Sequence, residues 1–265
     1  MNRRIGPTNM PVPQFPDKYD REVMLTAIDS VAHRSELDGV RLDHALLVYR
    51  THIATHLRSA FETEPIEGFG GRVDRIKGTE VGIASGFGIG GPAVAALVED
   101  LHAIGAETIV SVGTCGQLTP SESHVLICEK ALRDEGTSHH YAPDARFAYP
   151  DEALTRMIRE HLSNERRGVP TASSWTTDAL YRETTAERDA YLAEGITCVE
   201  MEAASLFTVC RTLGIRCASV FVVSDVSEGE DHRIAFHEPD VVSTLERVAE
   251  RMLTFLIDPT YRRAA

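Results

Sequence analysis

Apolar residues along this chain gather in short continuous runs, each closed by glycine or a charged residue, and helical spacing appears between the runs. His44-Ala45-Leu46-Leu47-Val48-Tyr49 predicts a buried strand, followed by a helix through Arg58. Glu80-Val81-Gly82-Ile83-Ala84-Ser85 predicts a second strand, and Gly86-Phe87-Gly88-Ile89-Gly90-Gly91 a tight turn. Pro92 suits a helix start, where its missing N–H costs nothing, and the helix runs from Ala93 to Ile104 with Gly105 closing it. Thr108-Ile109-Val110-Ser111-Val112 is the next strand, which completes a βαβ unit and implies a parallel, helix-covered sheet. Further on, residues 125–128 read as a strand, 152–162 as a helix, 203–213 as a helix closed by Gly214, 218–223 as an apolar strand and 241–256 as an amphipathic helix. The expected fold is α/β: a single domain over residues 21–265, with a mixed, mostly parallel central sheet flanked by helices. Residues 1–20 hold four of the twelve prolines and read as an irregular arm.

Charge narrows the partners. A formal net charge of −13 argues against a nucleic-acid binder, which needs a basic face, so a bound anion here requires a local positive site. No run reaches the length of a membrane span, and the first residues lack the apolar segment of a secretory signal. Cys115, Cys128, Cys198, Cys210 and Cys217 are odd in number, sit in apolar runs and form no CxxC, which fits buried thiols in a reducing cytoplasm.

Gly86, Gly88 and Gly91 satisfy G-x-G-x-x-G between a strand and a helix. The dinucleotide fingerprint also wants an acidic residue at the end of the next strand, and that strand ends in Ser111-Val112-Gly113-Thr114. A nicotinamide or flavin cofactor is therefore not expected. The turn's N–H groups are left to face something small, such as an anion. Gly113-Thr114-Cys115-Gly116 reads as a second glycine turn at a strand end, so the two turns suggest one pocket at the carboxyl edge of the sheet.

Glu200 and Glu202 are one residue apart, just before the helix that starts at Ala203. On an extended segment both point to one side and can hold paired hydroxyls; the same pattern also suits two solvated glutamates at a helix N-terminus. Asp225 ends the strand at 218–223, where an aspartate serves as turn former, cap or, in a desolvated pocket, proton donor.

Val199-Glu200-Met201-Glu202-Ala203-Ala204, then Val223-Ser224-Asp225, with Gly88-Ile89-Gly90-Gly91-Pro92 and Val112-Gly113-Thr114-Cys115-Gly116 before them, resemble the nucleoside phosphorylase family that contains bacterial purine nucleoside phosphorylase and uridine phosphorylase. The resemblance covers roughly residues 44–256. It implies that Glu202 holds the ribose hydroxyls, Met201 packs on the sugar and Glu200 lies beside base or ribose. It further implies that Cys115 and Gly116 line the base side, Thr114 contacts phosphate with Gly113 and Gly88, and Asp225 protonates a purine. Leu180 stands at the usual phenylalanine of the base wall, which passes stacking to Tyr181 or Trp175. Thr184 and Ala186 replace the residues that read uracil.

Two departures concern phosphate. The family's N-terminal phosphate loop is absent, with only Arg4-Ile5-Gly6-Pro7 near it, and the arginine expected two residues before Gly113 is Ser111. Arg133, Arg233, and Arg72 or Arg75 from a neighbouring subunit are candidate replacements; nucleosidases of the same fold, which use water, also lack these arginines. The expected activity is phosphorolysis of a purine ribonucleoside, with hydrolysis as the alternative and a non-catalytic nucleoside sensor as a weaker one. The expected partners are nucleoside, inorganic phosphate as co-substrate, and further copies of the chain in a dimer-based oligomer such as a hexamer. His52 and His56 lack the glutamate of a zinc motif, so no metal is expected. His139, His140 and Tyr141 suit either a sugar hydroxyl or packing, and His232, Arg233 and His237 lie in a loop placed to cover the pocket.

Overall fold

The uninterrupted apolar runs become strands buried along their whole length, as a sheet covered on both faces requires. The structure, a computed structural model, describes residues 12–13, 15, 18–120, 123–143, 145–163, 168–228, 231–234 and 237–260, without the side chains of 227, 228 and 231–234. The strands are β1 (His44–Val48), β2 (Thr63–Ile66), β3 (Arg72–Ile76), β4 (Val81–Ser85), β5 (Thr108–Gln117), β6 (Val125–Asp134), β7 (Phe147–Ala148), β8 (Thr171–Thr177), β9 (Cys198–Glu200), β10 (Arg216–Glu228) and β11 (Asp231–Ile234). The helices are α1 (Ala27–Val31), α2 (Thr51–Ala60), α3 (Gly91–Ala103), α4 (Glu152–Leu162), α5 (Thr185–Ala193), α6 (Ala203–Leu213) and α7 (Pro239–Ile257).

All strands join one mixed sheet in the order β11-β10-β6-β8-β9-β5-β1-β4-β3-β2, with β7 beside β6. β5 also pairs with β10, in parallel over a long register from Thr108↔Arg216 to Gln117↔Val226. Strands β5, β10, β6, β8 and β9 therefore close into a ring, and β1, β4, β3 and β2 extend from it as an open wing. The parallel ladders join β4 to β1, β1 to β5, β5 to β10, β6 to β8 and β8 to β9. Antiparallel pairing is found at the wing edge, at β11 and where β6 and β9 complete the ring. The result is a single α/β domain with a helix-flanked mixed sheet, as the hydrophobic pattern predicts.

Helices cover both faces. Leu97, Val98 and Leu101 of α3 and Leu206 and Phe207 of α6 pack on one face; Ile53 and Leu57 of α2, Ile158 of α4 and Leu245, Val248 and Met252 of α7 pack on the other. Gly214 caps α6 in the left-handed conformation (φ 74°), where glycine bears no side-chain penalty. No helix among the described residues is long and apolar enough to cross a membrane.

Gly113–Gly116 is not a turn. β5 continues through it to Gln117, paired to β10 throughout. Arg4 to Pro7, and most of the expected N-terminal arm, lie outside the described residues.

Candidate active site

A cavity of about 670 Å³ opens where the ring meets the wing, at the carboxyl ends of β1 and β5. Its wall brings together Gly113, Thr114, Cys115 and Gly116 of β5, Val199 to Glu202 of the β9–α6 corner, Asp225 of β10, and Leu180 and Tyr181. Tyr49, Arg50, Ile53, Ile89, Val112, Glu183, His237 and Leu245 complete it.

The two glutamates divide their work. Glu200 is buried, and its carboxyl accepts hydrogen bonds from the hydroxyls of Ser174 (3.0 Å) and Thr176 (2.5 Å) and from the N–H groups of Glu202 (2.8 Å) and Ala203 (2.7 Å). Thr176 in turn accepts from the Ala204 N–H at 3.0 Å. Glu200 thus satisfies the first donors of α6 from two residues before its cap. Burial pushes its carboxyl upward, and the four donors pull against that. The expectation that both carboxylates aim into one shared space is corrected: Glu200 reaches the wall but is bound up in the corner that holds Glu202.

Glu202 sits at the N-cap of α6. Its Oε1 accepts from the N–H of Gly90 at 2.5 Å, and its carboxyl is pushed up to about 7, first by burial and then by the charge of Glu200. The anion faced by the first glycine turn is therefore this side chain. Gly88 does not line the cavity; the turn contributes Ile89 and the Gly90 donor instead.

Asp225 owes its aim to a β-bulge. The β5–β10 register shifts between Val223 and Asp225, so Ser224 is looped out of the pairing and Asp225 faces Gly116. Ser224 donates to Asp225 Oδ1 at 2.7 Å. A Cβ on residue 116 would lie 2.5 Å from Asp225 Oδ2, and one on residue 113 would lie 3.0 Å from the Tyr49 ring. The glycines here provide close approach rather than a bend.

The cationic side is Arg50, missed in the sequence because it stands between a strand and a helix like any solvated flanking residue. It is half-buried at the N-cap of α2, and burial lowers its pKa. Ser111, two residues before Gly113 where the resemblance leads to the expectation of an arginine, is buried. Its hydroxyl lies 2.7 Å from that of Ser219 and also bonds the Tyr49 hydroxyl, whose pKa burial and then Glu202 push well up. Arg133 is a correction: its guanidinium donates to Ser138 and to the carbonyls of Ala142, Pro143 and Ala145, away from the cavity. Arg233 lies in β11 opposite Val226, with its side chain outside the described residues, as is that of His232. Arg72 pairs with Asp74, and Arg75 with Glu64, within the chain.

Trp175 is 2% exposed among Leu118, Leu132, Ile196 and Val199 and donates to Asp134 at 2.9 Å, so it belongs to the core rather than to the base wall. Leu180 and Tyr181 line the cavity and are exposed, Tyr181 at 95%. His140 contacts Lys18 and His139 the Arg133 carbonyl, away from the cavity; His56 pairs with Glu246 and Glu250 of α7.

Residues 53–258, well over half of the chain, match the family model described as "Phosphorylase superfamily". The chain belongs to this superfamily. Among curated members, it is 32% identical over 149 residues to a guanosine phosphorylase of Halorubrum lacusprofundi, spanning 55% of this chain and 61% of that one. It is 33% identical over 150 residues to a uridine phosphorylase of Treponema pallidum, spanning 51% and 58%. The chain thus matches about three fifths of the length of these superfamily relatives. A solved AMP nucleosidase of Bacteroides thetaiotaomicron shares the fold, with a TM-score of 0.70 at 22% identity over 89% of this chain and 100% of that one. The two curated relatives are named as phosphorylases, and the solved neighbour is named as a nucleosidase. The nucleoside and the nucleophile are narrower questions.

Proposed function

We propose that this chain is a nucleoside phosphorylase that cleaves the N-glycosidic bond of a purine ribonucleoside with inorganic phosphate, giving free base and ribose 1-phosphate. The observation that carries this reading is the cavity itself, which collects Glu202, Asp225, Thr114 and Arg50 around one space. Glu202 accepts hydrogen bonds from the ribose hydroxyls, and Met201 packs on the sugar. Arg50 and the Thr114 hydroxyl, beside Gly113, hold phosphate, a dianion that needs fixed donors in an acidic protein. A phosphate oxygen attacks C1′ as the bond from C1′ to the base nitrogen breaks through an oxocarbenium-like transition state. The bonding pair leaves with the base, and Asp225 donates a proton or hydrogen bond to it. The chain works without metal or organic cofactor, as a homo-oligomer in the cytoplasm.

One observation favours hydrolysis as a second reading. The Ser111 hydroxyl is engaged by Ser219 and Tyr49 where the family's arginine is expected, so β5 supplies no cation. Both readings are separated by incubating the protein with nucleosides, with and without phosphate, and identifying the sugar. Ribose 1-phosphate formed only with phosphate is expected, together with a raised KM for phosphate in Arg50→Ala. Free ribose released at an undiminished rate without phosphate would sink phosphorolysis.

A further inference from the structure

Both ends of the Gly90–Glu202 hydrogen bond ride on helix starts. Gly90 is the N-cap of α3 and Glu202 that of α6, so the contact depends on how one helix is seated against the other. Beside both starts stands Glu135, which follows β6 and is 5% exposed, yet does not line the cavity.

The Glu135 carboxyl joins two elements. Its Oε2 accepts from the Ser205 hydroxyl at 2.8 Å, and the Ser138 N–H donates to both of its oxygens, at 2.9 and 3.2 Å. Ser205 is the third residue of α6, and both serines are fully buried. Ser138 opens the 3-10 turn Ser138–His140, and Arg133 grips the same turn by donating to the Ser138 hydroxyl at 2.8 Å. An ionised carboxyl only accepts, so the Ser205 hydrogen is committed to Glu135 and its oxygen has one fixed place. That place is against α3. A Cβ on residue 91 would run into the Ser205 hydroxyl and would lie 2.8 Å from Thr137 Oγ1. The first residue of α3 is thus held between α6 and the turn after β6, a seat that only a glycine backbone fits.

We propose that Glu135 is a positioning residue for the Gly90–Glu202 contact: by fixing Ser205 it seats α3 on α6 and so aims the carboxyl that meets the sugar. The sugar rests on the nucleoside reading above; the aim of Glu202 does not. A charge effect follows from the geometry. The Gly90 N–H favours the ionised form of Glu202 against burial and against Glu200, the two causes that push its carboxyl up to about 7. The other titratable or charged groups facing it are Tyr49, which feels the Glu202 charge, and Arg50, Glu183, Asp225 and His237 around the cavity. These stay in place when Ser205 is trimmed, so a shift at Glu202 reports its contact with Gly90.

The test uses Ser205→Ala, which alters no charge, and Glu135→Gln, whose amide sets a donor against the Ser138 N–H or the Ser205 hydroxyl. Circular dichroism melts establish folding. Each variant should lower kcat/KM for nucleoside about 10-fold while leaving the KM for phosphate unchanged. The double variant should lose no more than the worse single, because both act through one contact. In Ser205→Ala the acidic limb of the kcat/KM profile should move to higher pH, since Glu202 loses a donor that favours its charge. A further readout needs no turnover. Stability tied to Glu202 is lost as pH rises towards its folded-state value, so the fall in melting temperature from about pH 5 to about pH 8 should be larger in Ser205→Ala than in wild type. Additive losses in the double variant, or a folded Ser205→Ala with the wild-type limb and the wild-type fall, would overturn the assignment. A wild type that cleaves no nucleoside would remove the proposed reaction, and the melts would then decide the role of Glu135 by themselves.

Discussion

Glu202 shows how one side chain can set function against stability. Its carboxyl is raised to about 7 in the fold from an ordinary 4.5, so the folded state retains a proton that the unfolded chain releases. Stability tied to this group is therefore full below about pH 4.5 and is lost as pH climbs towards 7. Glu202→Gln is accordingly expected to melt at the same temperature as wild type near pH 5 and higher near pH 8, by on the order of 1 kcal/mol, while base release collapses. An equal melting difference at both pH values would remove the charge argument. Glu200 behaves differently because all four of its hydrogen bonds go to protein groups. Glu200→Ala should cost about 3 kcal/mol in urea unfolding, since it strands buried donors at the start of α6. Loss of activity without loss of stability would make Glu200 a ligand contact instead. The sequence shows these two residues as a motif, but their division of labour depends on Ser174, Thr176 and Gly90, remote in the chain. Arg50 and Glu183 are hidden for the opposite reason: each has polar or charged neighbours in sequence, and only the folded chain turns them inward.

Elements were legible where one physical signal dominated. Continuous apolar runs located β1, β4 and the first half of β5, and the glycine after α6 marked its end. Glycine misleads at 113–116, where the sequence suggests a turn but the strand continues, its missing side chains making room for Tyr49 and Asp225. β3 was invisible because Arg72-Val73-Asp74-Arg75 has a polar face whose buried Asp74 is neutralised by Arg58 and Arg72. α5 carries a readable sign, the Thr184 and Glu187 capping box, that its weak apolar pattern masks. The bulge at Ser224 cannot be seen without its partner strand. Gly116→Ala tests this geometry: the new methyl would displace Asp225, so kcat/KM should fall about 10- to 100-fold with melting little changed. Unaltered turnover would mean that the position of Asp225 is not critical.

For the whole molecule, a closed ring of five strands braces one side of the cavity while the wing supplies β1 and the Gly90 turn. Such a division was only half visible, because the β5–β10 pairing joins segments a hundred residues apart. Net charge acts at this scale as well. With −13 spread over the chain, a phosphate dianion is repelled at long range and held only locally. Raising inert salt from about 20 to about 150 mM shortens the screening length and should lower the KM for phosphate. A KM that rises steadily with salt would point to a basic approach path that the described residues do not form.

The contact between the Gly90 N–H and Glu202 also bears on the timing of order. A glutamate that is loose in the empty cavity would have to surrender its rotamers each time a sugar arrives, and every turnover would meet that entropy anew. Here the turn before α3 freezes the side chain once, as the chain folds. On the nucleoside reading proposed above, the oxygen not engaged by Gly90 would then meet the ribose already in position.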